Sequence, residues 1–452
     1  MTRFVPFLFL ACLAVHAQNP AKPLAQTVDE WHDRNVVTLS VEEAVAKALT
    51  ASHAMKIAKS KVSFAEARER EADANRLPSL KFQGSYNRLN DVGPVQFDNP
   101  FVPGAKIVLT DPILNTTQLS LTASQVLFAG FRLDAAKDIA QLAVESARLD
   151  ERNDEASLRY GVTTTYWSLY KLTEFHRALG RTAAQLRARV RDAETLLRAG
   201  TITSNDLLKL KVQTANVQAQ ELEIWQQIWS VQVALCNLIG LPLTSMVELS
   251  SKPTWTKTDD SEVREAVAKA REERPDIRAT ALRVKAAERG VDAANGGWWP
   301  QVAVSATYLY ANPNQRIFPN RLQFDGTWAV GVTAGWDVWN WMIPAHQADQ
   351  ARSQAAQLQE SLAMMKDGVA VEAVQNHLAL APARERISVA EQAESQAQEN
   401  SALVNSRFTA GTATGTDVLE AEALLLQASA NKSSALADYE LAWARYQRSL
   451  GR

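Results

Sequence analysis

The chain has 452 residues, with 48 Lys plus Arg against 50 Asp plus Glu and a formal charge of −2. No basic field calls for nucleic acid, and no block of like charge marks a solvated tail. The 18 glycines and 16 prolines are sparse in a sequence rich in Ala, Gln and charged residues, a composition suited to long helices.

Arg3 precedes an apolar run over residues 4–15, and Val15-His16-Ala17 is an acceptable small-residue cleavage site. Residues 1–17 therefore read as a signal peptide, with maturation near Gln18. The run is too short to span a bilayer as a mature helix. Its removal takes Arg3 and leaves a net charge of about −3. Cys12 is a candidate lipoprotein cysteine, although Phe9-Leu10-Ala11 fits the usual lipobox poorly. Cys236 is then the remaining cysteine, so there is no disulfide framework, and its apolar surroundings make it a packed small hydrophobe. Beyond the signal no stretch approaches the ~20 apolar residues of a membrane helix.

After an extended segment, 18–39, the rest divides into two structural repeats, 40–250 and 251–452. Each runs helix, strand pair, very long helix, turn, helix. The first helix is expected over 40–76, with Ser40 and Glu43 as a capping box. Pro78 stops it, and Pro300 stands in the same place in the second repeat, 222 positions later. Behind these prolines, Leu80, Phe82, Gly84 and Tyr86 align with Val302, Val304, Ala306 and Tyr308. Lys81, Gln83, Ser85 and Asn87 alternate with the first set, so strands are expected over about 79–88 and 301–311. Partner strands are expected over about 117–128 and 327–338. The loops between, 89–116 and 311–326, are rich in Asn, Asp, Pro and Gly and read as surface loops.

The long helices run from about residue 133 to 198 and from 345 to 409, interrupted only by Gly161 and Gly180 and by Gly368 and Pro382. A helix of ~66 residues is about 100 Å long. It is unstable alone and must pack laterally, as a coiled coil or a tube of helices. Pro382 is expected to kink or shorten the second one.

The turns after these helices are near copies. Leu-Arg-Ala-Gly-Thr-Ile-Thr-Ser-Asn-Asp-Leu-Leu at 197–208 matches Phe-Thr-Ala-Gly-Thr-Ala-Thr-Gly-Thr-Asp-Val-Leu at 408–419 in six of twelve positions, at an offset of 211. The match continues without a gap to Gly240 and Gly451. Tips are thus expected at about 199–206 and 410–417. Gly200 and Gly411 would end the long helices, and Thr201 or Thr203, with Thr412 or Thr414, would start the next ones. Asp417 and Glu420 lie three apart, on one helix face.

Trp298 and Trp299 stand just before one strand, and Trp336, Trp339 and Trp341 stand at the end of its partner. In an antiparallel pair all five fall at one edge. They form either a tryptophan girdle at a bilayer interface or a hydrophobic plug where strands meet helices. Four strands cannot close a membrane barrel, since known barrels start at about eight, and an open edge in lipid leaves backbone groups unpaired. The strands must close by oligomerisation, two copies giving eight and three giving twelve. Composition does not choose between them.

The doubled Ala-Gly-Thr-x-Thr-x-x-Asp-x-Leu, the Glu420-Ala421 after its second copy and Leu127-Phe128-Ala129-Gly130 at a strand end resemble the signature segments of the TolC-like outer-membrane efflux family. The resemblance covers essentially the whole mature chain. It implies a mixed α+β, mainly α fold, as a homotrimer whose 12-stranded β-barrel in outer-membrane lipid continues into a periplasmic α-helical coiled-coil barrel. It implies a passive exit duct for small molecules or polypeptide in a tripartite efflux or type I secretion system. The energy would come from an inner-membrane pump of the RND, ABC or MFS type, reached through a periplasmic adaptor. It places adaptor docking at Ala199, Gly200, Thr201, Ala410, Gly411 and Thr412, and the periplasmic entrance at Asp206, Asp417 and Glu420. A trimer would gather six carboxylates from the last two, and such crowding favours cations and raises carboxylate pKa values.

One feature departs from the family. Its closed state is held by a Tyr and an Arg near the second tip pairing with an Asp near the first. Asp206 matches that Asp, but Phe408 and Ala413 occupy the other two positions, so this lock cannot form as drawn. The gate is then expected either to close through other contacts, such as Arg198 or Arg407, or to be looser.

No catalytic centre, cofactor or metal is expected. His32, His53, His176, His346 and His377 are scattered with no His-x-x-x-His pair, and neither Gly-x-Ser-x-Gly nor a P-loop is present. The competing reading is a periplasmic coiled-coil structural or adaptor protein, which needs the alternating segments to be soluble hairpins.

Overall fold

The computed structural model describes residues 36–110, 112–255, 262–318 and 320–452. The expected signal peptide, Cys12 and residues 18–35 of the expected extended segment lie outside the described residues. The chain is mainly helical. Its elements are β1 (Val36–Leu39), α1 (Val41–Ala51), α2 (His53–Ala74), β2 (Ser79–Arg88), β3 (Val95–Asp98), β4 (Lys106–Thr110), β5 (Asn115–Ala129), α3 (Arg132–Arg198) and α4 (Ser204–Ile239). They continue as β6 (Met246–Leu249), α5 (Val263–Glu273), α6 (Pro275–Asn295), β7 (Gln301–Asn312), β8 (Asp325–Gly335), α7 (Ile343–Thr409) and α8 (Gly415–Ser449).

The duplication is visible in the element bounds. α1 and α5 begin 222 residues apart, whereas α3 and α7 match at both ends at 211. The first repeat therefore carries 11 more residues between its paired strands. Those residues make a separate antiparallel hairpin, β3–β4, where the sequence suggested only an irregular loop.

The long helices are each 67 residues, about 100 Å. Each follows two successive left-handed residues, Gly130 and Phe131 in one case, Trp341 and Met342 in the other. This turns the chain sharply out of the sheet. An added Cβ on Gly130 would stand 2.3 Å from the Gly296 carbonyl oxygen, so only glycine permits this close approach. α7 runs unbroken through Pro382 rather than ending there.

The expected helix over 40–76 is instead two helices. Ser52 takes φ −59° and ψ 137°, and its hydroxyl accepts from the Ala54 N–H at 3.1 Å, capping α2 while α1 ends. The second repeat breaks at the matching place. There Arg274 is extended and Pro275 opens α6. Buried Arg274 is held by Asp276 at 2.7 Å and Glu372 at 2.5 Å.

α3 packs against α2, α4, α6 and α8, and α7 against α5, α6 and α8. Among the described residues four cores lie along this stack, the smallest joining Ile387 and Ala390 of α7 to Ala435 and Tyr439 of α8. Of the other three, one, at the waist, joins Tyr166, Leu169, Leu235, Cys236 and Ile239 to α1 and to the parallel pair β1–β6. Tyr166 ties them together, its hydroxyl donating to the Leu39 carbonyl and accepting from the Ser251 N–H, both at 3.0 Å. Cys236 is fully buried with its thiol on the Ser245 carbonyl, and burial pushes that thiol up. A second core joins α5 and α6 to Tyr446 and Leu450. The third fills the far end, beside the two tips.

The other end is a four-stranded antiparallel sheet in the order β2-β5-β7-β8. β8 stops at Gly335, three residues short of the expected 338. Gly335 pairs with Gln301, the first residue of β7, and beyond it β8 has no ladder partner. β2 and β8 are open edges.

Candidate functional site

The register sorts the sheet into two faces. Leu80↔Ala123, Phe82↔Leu121, Leu121↔Tyr308, Ala306↔Val330 and Val304↔Val332 put apolar residues of all four strands together. Lys81↔Thr122, Thr122↔Thr307 and Thr307↔Ala329 make the other face polar or small. Across it the Thr122 and Thr307 hydroxyls lie 3.1 Å apart. The apolar face is bare, with Leu80 at 70%, Phe82 at 67% and Val332 at 68% exposure. An uncovered apolar sheet of this extent is what a soluble protein avoids and a lipid-facing one requires.

Aromatics border this face at both ends. At the helical end Phe128, Phe131 and Trp299 form a triad of edge-to-face contacts with centroids 5.3–6.4 Å apart. The Trp336 indole donates to the Trp298 carbonyl at 3.1 Å, and Trp339 meets Trp341 at 5.8 Å. All five expected tryptophans are at this edge and exposed.

The other border escaped the sequence reading. Tyr86, Tyr308, Tyr310 and Trp328 stand on the apolar register near the far strand ends, Tyr310 stacking on Phe324 at 5.0 Å. Their period-two placement with Leu80 and Val302 was the available signal. From Trp299 to Tyr310 is about 36 Å along a strand at ~3.3 Å per residue. A tilt of ~40° reduces this to about 28 Å, close to the ~25 Å apolar band of a membrane barrel.

At the opposite end the tips are built alike. Gly200 and Gly411 have φ +74° and +72°, and both turns are exposed. Thr203 and Thr414, rather than Thr201 and Thr412, are the N-caps. The tips touch. An added Cβ on Gly411 would meet the Thr201 methyl at 3.8 Å, and one on buried Gly415 would meet Asp206 at 3.5 Å. Lys209 reaches the Thr416 hydroxyl at 3.4 Å. Ala199, Gly200, Thr201, Ala410, Gly411 and Thr412, where docking is expected, lie together on one exposed surface made by the two turns.

Two of the acids expected at the entrance, Asp206 and Asp417, have a local role as helix caps. Asp206 accepts from the Thr203 hydroxyl at 2.6 Å and its N–H at 3.2 Å, and Asp417 accepts from the Thr414 N–H at 2.7 Å and hydroxyl at 2.8 Å. Both complete capping boxes. Within the chain their carboxyls are therefore held below the ordinary aspartate value, not raised as crowding would do. The main cause is the Thr203 hydroxyl for Asp206 and the Thr414 N–H for Asp417. Glu420 lies one turn on. Phe408 is 1% exposed and packs with Leu186, Leu207, Leu210 and Val418, with Ala413 against the same cluster. The two positions where the family's polar lock would stand are apolar filling of the tip. Arg198 is turned to Thr195 on its own helix.

Among the described residues no cluster suited to a metal ion is found, and no helix is long and apolar enough to cross a membrane.

The family model described as "Outer membrane efflux protein" matches residues 44–241 and 266–452. The pyoverdine export outer membrane protein OpmQ of Pseudomonas putida is 24% identical over 299 residues, 64% of this chain and 61% of that protein. The match thus spans about three-fifths of that relative's length. Among solved structures, the outer membrane protein VceC from Vibrio cholerae superposes with a TM-score of 0.73 at 19% identity, covering 91% of this chain and 96% of that one. The Campylobacter jejuni CmeC outer membrane channel gives 0.77 at 15% identity, covering 91% and 85%. At these identities the two superpositions bear on the fold alone.

Proposed function

Because the chain belongs to the outer membrane efflux protein family, we propose that it is the exit duct of a tripartite efflux or type I secretion system. It would sit in the outer membrane with its helices in the periplasm, passively conducting small molecules or polypeptide. The observation that carries this reading is a four-stranded sheet, apolar and bare on one face and open at both edges, continuous with two 67-residue helices. Lipid would cover the face. In lipid the edges of β2 and β8 cannot stay unpaired, so β8 of one copy would join β2 of the next. Three copies give twelve strands around a lumen lined by Ser, Thr and small residues.

The helices support the same assembly. Met364, Val371 and Leu378 recur every seven residues on α7 and are exposed, as are Val389 and Leu403 further along and Leu208, Val212 and Leu222 on α4. Such seams suit helices of neighbouring copies. The paired tips are the proposed adaptor surface, with the pump beyond it, and Asp417 and Glu420 would line the entrance.

The test is to fractionate cells and run the unheated outer-membrane protein on SDS gels, then record planar-bilayer conductance. The expected result is a heat-modifiable trimer with discrete channels. Recovery of the mature chain as a soluble periplasmic protein would overturn the proposal in favour of a coiled-coil adaptor or structural protein.

A further inference from the structure

A cavity of about 490 Å³ opens at the waist, where α3 and α4 meet β1 and β6. Its walls include Tyr170, Trp225 and Trp229, and its polar groups include Glu174, Arg177 and Glu248. The two indoles meet edge to face, with centroids 5.5 Å apart at 76°, and Tyr170 is backed by buried Trp167 at 5.6 Å. These rings are positioned from behind. β6 is fixed on α4 by the buried Gln232 amide, which donates to the Val247 carbonyl at 3.4 Å.

The charges are unevenly matched. Arg177 is paired with Glu174. Glu248 has only the Thr38 hydroxyl, at 3.4 Å, and among the described residues is in no ion pair. The cavity therefore offers aromatic faces and one spare negative charge. Burial and then Glu174 push the Tyr170 hydroxyl up, with Arg177 opposing.

We propose that this cavity binds a small organic cation with an aromatic body, the rings taking its hydrophobic mass and Glu248 its charge. Aromatic faces attract cations over anions of the same shape, because the ring quadrupole presents negative charge. The volume lies within the ~300–1,000 Å³ of small-molecule sites, whereas one lysine side chain would leave most of it empty. The site lies outside the tips and the apolar sheet face, so it goes beyond the conduit reading and stands or falls independently of it.

The test is isothermal titration of the purified, detergent-solubilised full-length protein with tetraphenylphosphonium and with its isosteric anion tetraphenylborate. Saturable binding of one phosphonium per chain is expected, with no saturable binding of the borate. Glu248→Gln is nearly isosteric and should weaken the phosphonium about fivefold, and Trp229→Leu should weaken it about tenfold or more. Micelle partitioning is common to all variants and is subtracted with them, and circular dichroism checks that each is folded. Equal affinity for the two ions, or a phosphonium isotherm unchanged in both variants, would overturn the proposal.

Discussion

The two halves share a backbone but not a chemistry. At the offset of 211, α3 superposes in sequence on α7 end for end, and both tips use a left-handed glycine, a threonine cap and an aspartate in a capping box. The side chains around this frame have diverged in sign and polarity. Lys209 corresponds to Glu420, Lys211 to Glu422 and Glu194 to Asn405. In the first half Glu194 and Lys211 are a half-exposed ion pair at 2.9 Å. In the second, the same two positions are Asn405 donating to Glu422, also at 2.9 Å, with Glu422 only 1% exposed and a second bond from Ser401. Turn geometry tolerates little variation, since it depends on φ and on capped N–H groups. The helix faces beside it are free to become basic and wet or acidic and buried.

The largest expected effect removes what the halves share. Gly200→Trp together with Gly411→Trp places a bulky side chain on both turns at positive φ, in the surface proposed for docking. Trimers should persist on unheated gels while efflux, read as drug susceptibility, is abolished. Unchanged resistance would mean the tips dock nothing.

Next is the tip core, where the halves differ in burial. Phe408 is 1% exposed, and its counterpart Leu197 is only partly buried. Phe408→Ala should cost about 3–5 kcal/mol and Leu197→Ala distinctly less, at most about 2 kcal/mol. Hydrogen-exchange protection of the tip helices measures both. Equal losses would show that the second tip is not the better anchored.

The diverged pair separates the halves by salt and acid. Glu422→Ala removes the acceptor of the Ser401 hydroxyl and one of the two acceptors of the Asn405 amide, which keeps Ser401 at 3.2 Å, and should cost about 1–3 kcal/mol, insensitive to salt. Lys211→Ala should cost little, and that little should vanish at high ionic strength. The Lys211 ammonium beside Glu194 holds that carboxyl below its ordinary value. A depressed folded-state value means the stabilisation is complete above about pH 4.5 and is lost as pH falls through the lower folded value. The caps at Asp206 and Asp417 follow the same sign, both being depressed. Exchange at the tip amides should therefore accelerate only at strongly acidic pH.

Much of this was legible in the sequence because it is local. Alternation at Leu80, Phe82 and Tyr86 gave β2, and the doubled Ala-Gly-Thr gave both tips. What escaped depends on register or on distant segments. The break at Ser52 rests on one extended ψ inside an otherwise helical run. The far aromatic border becomes a border only when β2, β5, β7 and β8 are aligned. The hairpin β3–β4 was foreshadowed by the change of offset from 222 to 211. Asp206 and Asp417 carried the capping-box pattern, Thr-x-x-Asp, but were read for charge instead. The waist cavity joins segments far apart in the chain, and no local pattern announces it.

The smallest expected effect isolates the charge asymmetry itself. Asp417→Asn with Glu420→Gln removes two negative charges per chain, six in the proposed trimer. The amide that replaces the Asp417 carboxylate can still accept from the Thr414 N–H and keep α8 capped. The same positions in the first half hold Asp206 and Lys209, so Asp206→Asn with Lys209→Gln leaves the local net charge unchanged. The substitutions match in position and size and differ only in the field they alter. In planar bilayers under a KCl gradient, the second-half variant should move the reversal potential toward zero from the cation-selective side, and the first-half variant should not. The gap should widen at low ionic strength, where the Debye length grows from ~10 Å at 0.1 M toward ~30 Å at 0.01 M and six fixed carboxylates act across more of the opening. Equal shifts from the two variants would place the selective ring elsewhere. The acids of the second half would then be helix caps and solvated surface, and the halves would differ in packing alone.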